Sequence, residues 1–252
     1  MAADLTLAIL KVWEDGHDAS PGERGLLLLD VALAGQARAA REGLTVGQRD
    51  VALLGLFRHL FGDSAAALVD CPDCGALLET FIPIAAMAAQ GQSVPAVSYL
   101  AQVHGTAVGY RLPTAADLAA LGSGQHAEAT LAVKHLLQRC ILPAGPGDTM
   151  SARNDAGVSD DALAILGAAL EASIAAHDPM AEITLACDCP SCRLHWLSPF
   201  DIVEFLWKRL GTYVADLFGE VHVIAAAYGW SETDILALGT IRRRHYRELI
   251  GT

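Results

Sequence analysis

VDCPDCGALLETFIPI (residues 69–84) and CDCPSCRLHWLSPFDI (residues 187–202) decide how this chain folds. Each holds Cys-Pro-x-Cys, then mixed apolar and aromatic residues, then a helix-like start. A two-residue gap lets one turn aim both sulfurs at one point, and two such turns supply the four thiolates of a closed tetrahedral site. The reading is one discontinuous zinc-ribbon-like β module with Cys71, Cys74, Cys189 and Cys192 as ligands of one structural Zn2+. Cys187 and His195 flank the second pair and remain open as alternative ligands. Cys140, in HLLQRCIL, reads as a core cysteine. A redox dithiol needs a strand before it and a helix after it in a βαβ setting, and neither pair has that context. Four thiolates leave no open coordination position, so such a zinc would not activate water.

Outward from the knuckles the chain is helical in character. Of 252 residues, 53% are apolar and 18% charged, enough to bury a sizeable core. Ala and Leu dominate, and both favour helices. The expected class is α+β, mainly α-helical. Composition divides the chain into N-terminal helices (1–66), the first knuckle with β hairpins (67–112), middle helices (113–181), the second knuckle (182–200) and C-terminal helices (201–252), together one compact unit. Thr45, Thr114, Ser159, Ser231 and Thr240 stand where helix N-caps belong. GERGLLLLDVALAGQARAA reads as one helix, and the helix after Asp201 is expected to break near Gly211 or Gly219. VSYLAQVHGTAVGYRLPT reads as two strands around His104-Gly105-Thr106.

The net charge of −12 repels phosphate backbones and anionic lipid. The exception is the run from Arg242 to Arg247. No segment reads as membrane-spanning, and Asp4 stands where a signal peptide wants positive charge, so a cytoplasmic protein is expected. Its reducing surroundings favour metal or reactive thiols over disulfides. His126-Ala127-Glu128 upstream of a C-x-x-C resembles the zinc deaminase signature. The match fails, because here Pro follows the first Cys of each pair and the signature wants it before. No phosphate cradle, nucleophile elbow or metalloprotease helix is present. The chain is read as no enzyme, with no small-molecule substrate. A zinc-ribbon nucleic-acid binder using the basic C-terminal helix is the alternative, and a zinc enzyme the weaker one.

Several stretches in fixed order resemble a family: GQRDVALLGLFRHLFGDSAAALVDCPDCG, YRLPTAADLAAL, LLQRCIL, CPSCRLHWLSPFD and VHVIAAAYGWSETDILALGTIRRRHYRELI. They are similar to zinc-knuckle proteins of contractile tails and phage-like injection systems, related to baseplate hub and hub-assembly proteins of T-even-type phages. Cys71, Cys74, Cys189 and Cys192 match that family's knuckle pairs, and Trp196, Pro199, Phe200 and Asp201 its second-knuckle closure. Arg193-Leu194 departs from it, since Gly is usual there. The resemblance implies an assembly factor or minor structural subunit whose partners are hub, spike or tube-initiator proteins, free in the cytoplasm or retained in the tail particle. The expected docking face lies on the C-terminal helices, with Trp207, Trp230, Ile235 and Leu236 and the cations Arg242, Arg243 and Arg244. Packing inside this protein is the competing reading for each of those apolar residues.

Overall fold

The computed structural model describes residues 2–90, 95–122, 129–143 and 159–250. The chain is mainly helical with small antiparallel sheets. Four helices come first: α1 (Ala2–Asp15), α2 (Pro21–Ala32), α3 (Arg38–Glu42) and α4 (Val46–Phe61). The hairpin of β1 (Ala65–Asp70) and β2 (Leu77–Ile82) leads into α5 (Ile84–Ala89). A second hairpin, β3 (Tyr99–Val103) and β4 (Thr106–Tyr110), precedes α6 (Ala115–Ala120), α7 (Ala129–Cys140) and α8 (Asp160–His177). The third, β5 (Thr184–Asp188) and β6 (His195–Pro199), runs into α9 (Ile202–Tyr228), α10 (Glu232–Ala237) and α11 (Thr240–Ile250).

Capping sets several boundaries. Ser20, Thr45 and Thr114 each close a reciprocal capping box, with Glu23, Gln48 and Asp117 three residues on. Two expected boundaries differ. The helix predicted across residues 22–40 stops at Ala32, where Leu33 leaves helical geometry (φ −128°, ψ 42°). Arg41 then folds back onto the turn, donating to the Leu33 and Gln36 carbonyls and pairing with Asp30 at 2.6 Å. In the other direction, α9 runs unbroken through Gly211 and Gly219 for 27 residues. A helical glycine costs only about 1 kcal/mol. Burial of Ile202, Val203, Leu206, Leu210, Val214, Leu217 and Ile224 along one face outweighs that. By length and composition α9 is also apolar enough to cross a bilayer, which the sequence reading did not anticipate.

The core is double. The larger one gathers α1, α2, α4, α5 and α9 around Leu28, Leu53, Leu54, Phe57, Leu206 and Leu210, with the Phe57 and Phe205 rings stacked at 5.4 Å. The smaller packs β3–β4 against α7 and α8 through Val103, Val108, Tyr110, Leu163, Leu166 and Leu170. Tyr110 reaches Ser173 at 2.6 Å and donates to the Ala169 carbonyl at 3.2 Å. Residues 99–112 therefore pack with the middle helices rather than with the first knuckle, where composition had grouped them. The smaller core is an insertion between the two knuckle-bearing stretches. LPAGPGDTMSARNDAGV (142–158) reads in sequence as a loop, the least ordered stretch of the chain; its residues 144–158 and the His126-Ala127-Glu128 triplet lie outside the described residues.

Candidate metal centre

The two knuckles are the tips of the first and third hairpins, and their backbones repeat each other bond for bond. Cys71 N–H donates to the Ala76 carbonyl and Gly75 N–H to the Cys71 carbonyl, both at 2.9 Å. Cys189 N–H donates to Leu194 and Arg193 N–H to Cys189, again both at 2.9 Å. The strand registers also correspond: Asp70 faces Leu77 as Asp188 faces His195, and Val69 faces Leu78 as Cys187 faces Trp196. This turn needs a left-handed residue at its fourth position. Gly75 supplies it with φ 69°, and Arg193 adopts φ 63° in the equivalent place. The missing glycine thus leaves the geometry of the second knuckle intact and adds steric strain, because a Cβ is unfavourable in this region.

The tips meet. The sulfurs of Cys71, Cys74, Cys189 and Cys192 all lie within 4.8 Å of one another, and the cross-knuckle pairs Cys71–Cys192 and Cys74–Cys189 are both 3.6 Å apart. A cation held about 2.3 Å from four thiolates sets neighbouring sulfurs ~3.8 Å apart in a tetrahedron. The cluster matches that size and is compatible with a metal site. The leading cysteine of each knuckle is buried, while Cys74 is exposed and Cys192 half-buried. The centre therefore sits at the surface with one edge facing out.

Backbone amides prepare the cluster for negative charge. The N–H groups of Cys192 and Ser191 lower the Cys189 thiol pKa to about 6 against its burial, helped by the neighbouring thiols of Cys192 and Cys74. The Leu194 N–H favours the Cys192 thiolate, yet desolvation and the neighbouring thiols of Cys189, Cys71 and Cys74 outweigh it and push that group up to about 12. At Cys74 the Ala76 N–H acts the same way, and the Cys189 thiol and desolvation still raise it. Four negative sulfurs at this spacing would repel one another. A bound metal cation would offset that repulsion and favour ionisation of its ligands.

The neighbouring alternatives resolve by direction. Cys187 points from β5 into the larger core, 5% exposed, with its thiol toward the Leu185 carbonyl at 3.6 Å. His195 points outward and pairs with Asp188 across the hairpin. Cys140 is buried in the smaller core, and desolvation pushes its thiol up to about 11.

The C-terminal residues expected to form a docking face separate into two groups. Ile235 (0% exposed) and Arg243 (1%) are buried, which removes both from any surface. Ile235 and Leu236 lie on the inner face of α10. Arg243 donates to the Leu238 carbonyl at 2.6 Å and pairs with Glu220 of α9 at 3.3 Å, fixing α11 to α9. Trp207 packs in the larger core under the Arg24 guanidinium, 4.7 Å from its ring centre. Trp230 is half-buried among Tyr228 and Tyr246, with ring centres 5.1 and 5.0 Å away. Arg242 and Arg244 are exposed.

One polar cluster was only half legible in sequence. The Thr114-x-x-Asp117 box was visible, but not the arginines that complete it. Asp117, 1% exposed, accepts from Arg111 at 2.5 and 3.0 Å and from Arg139 at 3.0 Å. Burial opposes its ionisation, and Arg111 with the Thr114 N–H and hydroxyl overcomes that and holds its pKa below the ordinary value. Comparison of the chain with protein-family models, curated proteins and solved structures gave no match.

Proposed function

We propose that this protein is a non-enzymatic assembly factor or minor structural subunit of a contractile-tail baseplate hub, stapled by one structural zinc. The observation that supports the zinc is the cluster of four cysteine sulfurs, within 4.8 Å of one another, brought together by two matched knuckles more than a hundred residues apart in sequence. Four sulfur donors in that shape select zinc or iron over the oxygen-seeking cations. Zinc thiolate sites of this closed kind are structural, and zinc binding supplies about 10–16 kcal/mol in small zinc peptides. The metal would join the ends of the larger core's two halves, which flank the inserted smaller core. It would set how the helices on either side are oriented.

The baseplate role rests on the resemblance of the ordered stretches. In support, those stretches are the ones that hold parts of this molecule together: YRLPTAADL carries the Asp117 clamp, and the last stretch carries the Arg243 anchor. Two measurements test the reading. Protein purified without added metal should hold one zinc per chain, lost in Cys71→Ser and Cys189→Ser and kept in Cys187→Ser. Full zinc retention in both ligand variants would remove the four-cysteine centre, and iron in its place would replace the metal. Purification from the native gene cluster should bring down a hub, spike or tube-initiator protein. A preparation holding no tail protein would end the baseplate assignment.

A further inference from the structure

The four clustered sulfurs divide by exposure. Cys74 is exposed and Cys192 half-buried, whereas Cys71 and Cys189 are only 2% and 3% exposed. The short contacts cross that division. Cys74 lies 3.6 Å from Cys189, and Cys192 lies 3.6 Å from Cys71. Each reachable sulfur thus has a sheltered one of the opposite knuckle beside it. Each knuckle's own turn is closed by two backbone hydrogen bonds at 2.9 Å, a fixed frame that presents both of its cysteines to the opposing hairpin. Cys187 and Cys140 are out of reach, buried in the larger and smaller cores. A reachable thiol with a second thiol in contact is the arrangement that peroxides convert to a disulfide, because the sulfenic acid formed first condenses with its neighbour.

We propose that Cys74 and Cys192 are sites of oxidation by hydrogen peroxide, and that Cys189 and Cys71 resolve them into two disulfides across the knuckles, Cys74–Cys189 and Cys71–Cys192. In the first step the Cys74 sulfur attacks one peroxide oxygen. An S–O bond forms, the O–O bond breaks, and the thiol proton leaves with the other oxygen as water. The Cys189 sulfur then attacks the Cys74 sulfur. The S–S bond forms, the S–O bond breaks, and the second thiol proton leaves with the hydroxyl as water. Two electrons pass from the thiol pair to the peroxide. The same two steps join Cys192 to Cys71 with a second peroxide. Closing 3.6 Å to the ~2.05 Å of a disulfide needs only side-chain rotation and a slight tightening of the hairpins. The thiolate is the metal ligand, so a cation bound there would be set free. The hairpins would stay joined all the same, since the bridges connect the same two knuckles across 115 and 121 residues. Oxidation therefore exchanges one staple for another and keeps the fold closed. Bridges inside each knuckle would do the opposite and let the hairpins part.

The inference goes beyond the zinc reading and needs only the placement of the sulfurs. The test uses the full-length protein, reduced and then freed of reductant, with and without zinc. After each addition of peroxide the remaining thiols are blocked with iodoacetamide. Cleavage before Asp73 and Asp188, without reduction, puts Cys71, Cys74 and the second knuckle on separate peptides for mass spectrometry. One equivalent of peroxide should join the Cys74 peptide to Cys189 and leave Cys71 and Cys192 alkylated. A second equivalent should join Cys71 to Cys192, and zinc should be released in step. Cys187→Ser should give the same bridges. A Cys71–Cys74 or Cys189–Cys192 bridge, any bridge to Cys187, or no bridge at a tenfold excess of peroxide overturns the proposal. The expected bridges in a protein that binds no zinc would keep this inference and end the zinc reading. Bound zinc with the wrong bridges would do the reverse.

Discussion

Arg193 takes a conformation that glycine adopts without strain, with φ 63° where its counterpart Gly75 has φ 69°. Relief of left-handed strain is worth roughly 1–2 kcal/mol, reduced by glycine's greater freedom in the unfolded chain. Arg193→Gly should therefore raise stability by up to about 1 kcal/mol in chemical denaturation, with metal content unchanged. A second residue bears on pH. Asp50 is buried beside Arg49, and desolvation pushes its carboxyl up to about 6 despite that partner, with Asp201 and Asp178 adding to the rise. Between about pH 4 and 6 the native state holds a proton that the unfolded chain has released, so stability falls as pH rises through that window. Asn at position 50 has no such titration. The stability difference should move in favour of Asp50→Asn between pH 4 and 7, by up to about 3 kcal/mol at about 1.4 kcal/mol per pKa unit. A flat difference across urea titrations would show that Asp50 ionises normally. The Asp50 shift could not be read from sequence, because desolvation depends on which partners the fold brings near, whereas Arg193 already stood out as a residue where glycine is usual. The ligand cysteines were legible because two matched C-P-x-C pairs carry their own geometry.

Elements followed their local signals where a cap or a tight turn dictated them. Thr45, Thr114, Ser159 and Ser231 all cap helices as expected. His104 and Gly105, at φ 49° and 80°, make the two-residue hairpin turn between β3 and β4. Local signals failed where packing decided. Glycines suggested a break in α9, yet its buried stripe holds it straight through. The short helices α10 and α11 looked like a surface because eleven residues or fewer do not reveal which face a distant helix will cover. Glu220 of α9 settles it by drawing Arg243 inward. Removing one partner of a buried pair leaves the other charge unpaired, at a typical cost of about 3–5 kcal/mol. Arg243→Ala should accordingly release α11 from α9. Limited proteolysis should then cut within residues 240–250 of the variant while sparing the wild type, and equal resistance would show that the anchor is dispensable.

At the scale of the whole molecule, two cores share one chain and only the larger is joined to the candidate metal. Chelation should lower the melting temperature of the larger core most. In hydrogen exchange, amides of β1, β2, β5 and β6 should lose protection before those of β3, β4 and α8. Uniform loss across both cores would mean that they unfold as one unit. That two-core division was hidden in the sequence because composition changes at residue 113, while packing ties residues 99–112 to helices that come later. Synthesis order gives the arrangement a temporal meaning. Cys71 and Cys74 leave the ribosome more than a hundred residues ahead of Cys189 and Cys192. The inserted core, whose contacts are complete by residue 174, can form in that interval. The first knuckle then waits as an unfinished thiol pair, exposed to stray metals and oxidants, until its twin emerges. A metal bound there would close the centre only after the inserted core between the knuckles has been made.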